Sequence, residues 1–471
     1  MPRSLQPIAK ASPQFWGLRI FLALVFLTGG ASRIDVQSLP ILVPSSIIAC
    51  AVALVTLQRQ HFLGRRWLVV VVGGVLALAT LHLIPLPHAF WQALPSRQIW
   101  AEIDAVARLE GAWRPLSLTP ANGWHALFAL FTPLAILLFG VQLGRDDQYR
   151  ILSVVIGLSA ISGLFGLLQV IGSPQGSLYF YKVTNNGNAV GLFANRNHAA
   201  LLLGLMFPML AIFASVDSAD KDIGPRRQLI AVTIAVILVP LILITGSRTG
   251  LLTALIGLAG AALLYGQPTP SRPERCGKAH LRISIGPILA GLAVVAVCFL
   301  TLYFSRAQAI DRLFSLSAVD DGRGDFWPVA LDMIAAYFPW GSGSGSFIEA
   351  YQIVEPMRLL DSTYLNHAHN DWLEIAVTFG LPGMLGLALA VLFYLRRTFV
   401  LWCRMDGKRR SVAHGRMATV AIAMIAVASV TDYPLRTPTF FCIFALLVLW
   451  LLEPGRKAAS DAPAHESQRE G

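Results

Sequence analysis

The sequence predicts an all-α membrane protein of about twelve transmembrane helices, with a large outer loop before the tenth. Three observations lead there. Of 471 residues, 55% are hydrophobic and 13% charged, a balance too apolar for a soluble protein of this length. Apolar runs such as Trp67–Leu86 and Ile151–Gly172 recur along the whole chain, each close to the ~20 residues that cross a ~30 Å hydrocarbon core. Lysine and arginine collect in alternate connections between the runs, as cytoplasmic loops do.

In order, the expected spans are 16–32, 40–57, 67–86, 124–143, 151–171, 197–215, 228–244, 250–266, 283–304, 371–396, 416–433 and 437–453. Residues 1–453 therefore read as one polytopic domain, followed by a polar tail, 454–471, expected to be disordered. The first run, "RIFLALVFLTGGA" before Ser32, loosely resembles a cleavable signal. The parity of the eleven spans after it argues that it is retained. Arg59, Arg65 and Arg66, then Arg145 and Arg150, then Lys221, Arg226 and Arg227 fall on one side. Arg272, Arg275, Lys278 and Arg282, and the group from Arg396 to Arg410, join them and place both termini in the cytoplasm. The net charge of +11 belongs to these loops against anionic lipid and gives no reason to expect nucleic acid. Cys50, Cys298 and Cys442 fall in spans, and Cys276 and Cys403 in cytoplasmic loops, so no disulfide framework is expected.

The same topology leaves 87–123, 172–196, the tight turn 245–249, the long stretch 305–370 and a turn near 433–437 on the outer side. The 305–370 segment is too long to be a simple connection and should carry its own structure. Within it, Phe326, Val329, Ala330, Met333, Ile334 and Tyr337 recur at helical spacing. They predict an amphipathic helix lying on the membrane or capping a cavity, ending before Pro339. "GSGSGS", from Gly341 to Ser346, reads as a flexible turn. It lacks the spacing and the preceding strand of a dinucleotide-binding loop.

Polar groups near hydrocarbon are costly and usually have a partner or a task. Arg196, flanked by Asn195, Asn197 and His198, opens the sixth span, and Arg248 sits in the tight turn before the eighth. "NHAHNDWLE" brings His367, His369, Asn370, Asp371 and Glu374 to the start of the tenth, and "DYPLRTP" puts Asp432 and Arg436 in the last outer turn. Each has a bland reading. Both arginines can snorkel to headgroups, Ser247 can cap the eighth span, and Asp371 with Glu374 fits a capping-box variant at the tenth. Against this, arginine in a short outer loop runs counter to the positive-inside bias, and a bound anion would explain it, since guanidinium forks match phosphate oxygens. Histidine near a helix N-terminus is held neutral, as a base must be. A His/Asp/Glu metal site is disfavoured because these residues crowd one segment without ligand spacing.

Four stretches, "ANRNHAALLL", "TGSRTGLL", "GRGDFWPVALDMIAAYFPWGSGSGSF" and "HAHNDWLEIAVTFGLPGMLG", together resemble the O-antigen ligase and polymerase family of bacterial membrane glycosyltransferases over roughly residues 190–400. The last is the most specific, with His369–Asn370 followed by an apolar helix carrying Gly380 and Gly383. The resemblance implies a GT-C-like enzyme of the bacterial inner membrane that needs no metal or other cofactor and works at the periplasmic face. It would move a glycan, with inversion, from undecaprenyl diphosphate to a hydroxyl of another glycan or of lipid A–core. Carried over by motif, Arg196 and Arg248 hold the diphosphate and His369 is the base. His367 remains the other histidine that could serve, or could bind acceptor sugar. Asn370, Glu374, Arg323 and Arg436 are candidates for substrate or supporting contacts. The motifs leave ligase, polymerase and protein-glycosylating branches open. A flippase for lipid-linked sugars is the reading from another class, and it predicts charges deep within several spans.

Overall fold

Apolar runs become helices wherever the chain is described. The computed structural model describes residues 11–215, 223–265, 323–360, 364–405 and 410–453. The ninth expected span, 283–304, the tail 454–471, Cys276 and Cys298 lie outside these residues. Helices Pro13–Thr28, Leu39–Val55, Arg66–Leu81, Arg145–Ile171, Arg196–Ala214, Ile223–Ile244, Arg248–Leu264, Asp371–Phe399, Arg410–Thr431 and Pro438–Leu452 sit at expected spans. The fourth span is two helices end to end, Pro120–Ala129 and Phe131–Gln142. Pro133 has no N–H to offer the Ala129 carbonyl, which accounts for the break. Among the described residues, six stretches are long and apolar enough to cross a membrane: 120–142, 145–171, 196–214, 223–244, 371–404 and 410–431. The other helices at expected spans are shorter and apolar. The chain is thus an all-α membrane protein.

Hydrogen bonds sort the helix ends into two sets, and successive helices from Pro13–Thr28 to Arg248–Leu264 run in opposite directions between them, as do the last three, from Asp371–Phe399 to Pro438–Leu452. At one end the Ala194 N–H donates to the Gly30 carbonyl (3.1 Å) and the Thr439 N–H to that of Gly29 (3.0 Å). At the other end Ser12 Oγ donates to Asp147 Oδ2 (2.8 Å). There too Arg65 Nη2 meets Glu453 Oε2 at 2.7 Å with both side chains 1% exposed. Arg65 also donates to the Val141 carbonyl (2.9 Å), so this buried pair has the extra hydrogen bond such pairs need.

The Arg196 helix is the axis of the bundle, buried along nearly all its length. It packs against the Arg145, Ile223, Arg248 and Arg410 helices. Its closest neighbour is the Arg248 helix, because both carry small residues on the shared face. A Cβ on Gly204 would stand 3.4 Å from Ala254 Cα, and one on Gly250 would run into Ala200 Cβ. Ala200 therefore faces Gly250 and Gly204 faces Ala254. The two helices run parallel and in register, which sets Arg196 and Arg248 level at their heads.

A second, smaller core lies at that same end. It joins Trp91, Leu118, Val329, Met333, Tyr337, Phe347 and Tyr351. The residues come from His88–Gln92, the loop that follows a short antiparallel pairing of Pro85–Leu86 with Arg114–Pro115, and the helices Arg323–Tyr337 and Phe347–Val354. The apolar face of the Arg323 helix, expected on a membrane surface or over a cavity, is covered by protein here. Arg97 is buried beneath the rings of Trp91 and Tyr337, 5.8 Å from each centroid, and donates to the Leu116 carbonyl (2.9 Å). Burial lowers its pKa to about 10.

The "GSGSGS" stretch is a packed junction, not the flexible turn expected. Ser342, Ser344 and Ser346 are buried, and Gly341, Gly343 and Gly345 have φ of +83°, +99° and +77°. A Cβ on Gly341 would come 2.6 Å from the Thr378 carbonyl oxygen. On Gly343 it would strike the Ser117 backbone, and on Gly345 that of Asn122. The Ser342 and Gly343 N–H groups donate to the carbonyls of Val377 and Thr378, each at 2.9 Å, and the Ser344 N–H donates to His82 Nδ1 (3.1 Å). These bonds cross the Asp371 helix where it breaks at Gly380, whose φ of +55° and ψ of −145° are not helical. Glycine supplied backbone room, and sequence composition alone suggested mobility.

Candidate active site at one end of the bundle

The heads of the Arg196 and Asp371 helices meet the end of the Arg410 helix around a buried carboxylate, Asp432, and the head of the Arg248 helix adjoins it through Thr431. Asn195 caps the Arg196 helix by accepting from the Asn197 N–H (2.8 Å), and Ser247 caps the Arg248 helix by accepting from the Gly250 N–H (2.9 Å). The spare amide of Asn195 reaches Asp432 at 3.2 Å and that of Asn197 at 2.7 Å. Arg196 stands between these two asparagines, half-buried, and its own N–H donates to Asn185 Oδ1 (2.9 Å). Thr249, next to the exposed Arg248, lies Oγ1 to Oγ1 2.8 Å from Thr431, the residue before Asp432. Both arginines therefore border the Asp432 junction, at helix N-termini whose dipoles favour anions.

His369 comes to the same carboxylate, with Nδ1 3.9 Å from Asp432 Oδ1. Its φ is +49°, unusual for a residue with a Cβ, and strain of this kind collects at functional sites. The cap of the following helix is not Asp371, as the spacing suggested, but Asn370. Asn370 Oδ1 accepts from the N–H groups of Trp372 (3.0 Å) and Leu373 (3.1 Å). Asp371 falls one position inside the helix and turns to the last junction. There it accepts from Ser429 Oγ (2.9 Å) and meets Arg436 Nε at 3.3 Å. Asparagine outcompetes aspartate for the cap because the buried aspartate has an arginine to satisfy it.

Glu374 lies one turn further in. Its Oε1 is 3.0 Å from His367 Nδ1 and 3.4 Å from Arg436 Nη1, and its Oε2 accepts from the Ala368 N–H (3.0 Å). Burial disfavours the Arg436 charge, but Glu374 and then Asp371 outweigh it and hold its pKa above the usual arginine value. The two sets of contacts are separated by the ring of Tyr433, whose centroid lies 4.6 Å from that of His367, 4.9 Å from His369 and 5.4 Å from His198.

The structure thus gathers Arg196, Arg248, His367, His369, Asn370, Glu374 and Arg436 at one end of the bundle. Arg323 begins its helix nearby in sequence, but its side chain lies outside the described part. Tyr433 and the hub role of Asp432 escape sequence reading. Asp432 is visible there only as a charge in a turn, and nothing local marks Tyr433 as the neighbour of three histidines. Among the described residues no group of three or more His, Cys, Asp or Glu side chains is gathered for a metal ion.

Residues 233–388 match a family model described as O-antigen ligase. The matched stretch holds Arg248, Arg323, His367, His369, Asn370 and Glu374, and leaves Arg196, Asp432 and Arg436 outside. The resemblance read from the motifs is shown by this match. No curated protein matches the chain.

Proposed function

We propose that this chain, O-antigen-ligase-like over residues 233–388, transfers a glycan from undecaprenyl diphosphate to an acceptor hydroxyl. In this reading the chain crosses the bacterial inner membrane twelve times, with residues 283–304 as the ninth span and both termini cytoplasmic. The arginine-bearing helix heads then face the periplasm. The observation that carries it is the placement of Arg196 and Arg248 level on parallel helices, beside the junction that holds His369.

The chemistry follows from that arrangement. The two guanidinium groups and the helix heads bind the donor diphosphate and stabilise the charge it gains on leaving. His369 Nε2 accepts the proton of the acceptor hydroxyl as its oxygen bonds to the anomeric carbon from the opposite face. The bond from that carbon to phosphate oxygen breaks, undecaprenyl diphosphate departs with the electron pair, and the anomeric configuration inverts. The imidazolium then releases its proton to water. The leaving group is already a stable anion, so no acid is needed, and the arginines supply its countercharge. His367, Asn370, Glu374, Arg323 and Arg436 line or support the acceptor side.

The test uses the full chain in lipid nanodiscs, with an undecaprenyl-diphosphate-linked repeat as donor and either lipid A–core or a second lipid-linked repeat as acceptor. Arg248→Ala and His369→Ala are each expected to lower transfer by roughly a hundredfold or more. Unchanged transfer by both variants would sink the assignment. The acceptor is read from the glycolipids of a deletion strain. Long chains left on the carrier identify a ligase, and single repeats a polymerase.

A further inference from the structure

We infer that Asp432 is a positioning residue for the transfer step, a single carboxylate that sets both His369 and the Arg196 segment. The inference rests on the base and diphosphate roles proposed above. Three elements deliver contacts to it. The amides of Asn195 (3.2 Å) and Asn197 (2.7 Å) come from the head of the Arg196 helix. His369 Nδ1 (3.9 Å) comes from the loop before the Asp371 helix. The Tyr433 N–H (2.9 Å) comes from the junction itself, and His198 Nε2 stands 3.6 Å away.

Asp432 is 1% exposed, and a carboxylate so enclosed is costly unless donors surround it. Its effect on His369 follows from which nitrogen it faces. At 3.9 Å the carboxylate acts on Nδ1 by its charge rather than through a hydrogen bond; that charge favours a proton on Nδ1 and leaves the lone pair on Nε2, the tautomer that can take a proton from the acceptor. The Tyr433 ring, 4.9 Å from His369, limits the alternative ring orientations. Because the same carboxylate holds the asparagines on either side of Arg196, the imidazole and the backbone that carries Arg196 are tied to one buried group. Catalysis by orientation is sensitive to such placement at the ångström level.

Besides the two histidines at Asp432, the described residues hold a histidine–carboxylate pair on a different carboxylate, His367 with Glu374, and it is built differently. That carboxylate is shared with Arg436 and the Ala368 N–H, and the His367 side chain is 14% exposed against 27% for His369. The His369–Asp432 pair is the one with the more open ring. Asp432 also lies outside residues 233–388, so the family match does not point to it.

Asp432→Asn and Asp432→Glu, in the nanodisc assay above, test the role per folded molecule, with size exclusion reporting folding. Asp432→Asn is expected to lower kcat about tenfold or more while donor KM stays within about threefold, and Asp432→Glu to recover part of kcat. An unchanged kcat, or a loss carried by donor KM alone, overturns the inference. If Asp432→Asn does not fold, Asp432→Glu decides alone. Reduced kcat at constant donor KM then supports the role, and full kcat overturns it. His369→Ala run alongside separates the two levels. Full transfer by that variant removes the base role itself, whereas its inactivity beside an unaffected Asp432→Asn removes only the role of Asp432.

Discussion

His367 Nδ1 lies 3.0 Å from Glu374 Oε1, and Arg436 reaches the same oxygen at 3.4 Å from the junction before the last helix. Two carboxylates, one guanidinium and one imidazole thus share a mostly enclosed space at the head of the Asp371 helix. Removing one charge leaves the others short of a partner.

Glu374→Gln keeps the shape and deletes that charge. It is expected to lower stability by about 2–3 kcal/mol, less than the ~3–5 of a fully buried pair because Arg436 retains some exposure. Thermal unfolding of the detergent-solubilised protein, followed by tryptophan fluorescence, checks this. A change below ~0.5 kcal/mol would mean that solvent screens the network.

Asn370→Ala removes the helix cap and is expected to cost about 1 kcal/mol, with Asn370→Ser restoring most of it. Asp371→Ala should cost more than either, since it removes the acceptor of Ser429 and one of the two carboxylates that face Arg436. Equal effects of Asn370→Ala and Asp371→Ala in the same melting measurement would contradict the division of roles described above.

Gly343→Ala is expected to prevent stable folding, because the new Cβ would meet the Ser117 backbone at a φ of +99°. Gly73→Ala is the control. Its site has nothing within 4 Å, lies inside a helix, and should gain a few tenths to ~1 kcal/mol. Yield and monodispersity after purification distinguish the two.

Arg65→Met leaves Glu453 buried without its main partner at the far end of the bundle. A loss of about 3–5 kcal/mol is expected, with transfer per folded molecule unchanged. Reduced turnover at full stability would show that this end communicates with the other.

The helices were legible because each is a run of apolar residues near the length a bilayer sets, and the starts of the Pro13, Arg196, Arg248 and Asp371 helices carry a capping side chain. Arg196, Arg248 and His369 were legible as charges where charge is expensive. Three features were not. The choice between Asn370 and Asp371 as cap depends on Arg436 and Ser429, both more than fifty residues away in sequence. The aromatic contacts of Tyr433 with His198, His367 and His369 join three chain segments. The covered face of the Arg323 helix depends on Trp91 and Leu118, from a different outer segment. Local pattern fixes an element's type and ends, and it carries no information on which distant side chain will satisfy a buried group.

The Gly341–Ser346 junction has a consequence for how this region tolerates change. Each glycine meets a different backbone, at Thr378, Ser117 and Asn122, while the Ser342 and Ser346 hydroxyls donate to the Val377 and Gly343 carbonyls and Ser344 accepts from Ser117 Oγ through its backbone carbonyl. Alanine substitution across the six positions should therefore alternate between lethal and mild with a period of two, the signature ordinarily taken for a half-buried strand. An alanine-scanning map read without the structure would place a strand here, where the chain instead ties two outer segments to the break in a membrane helix.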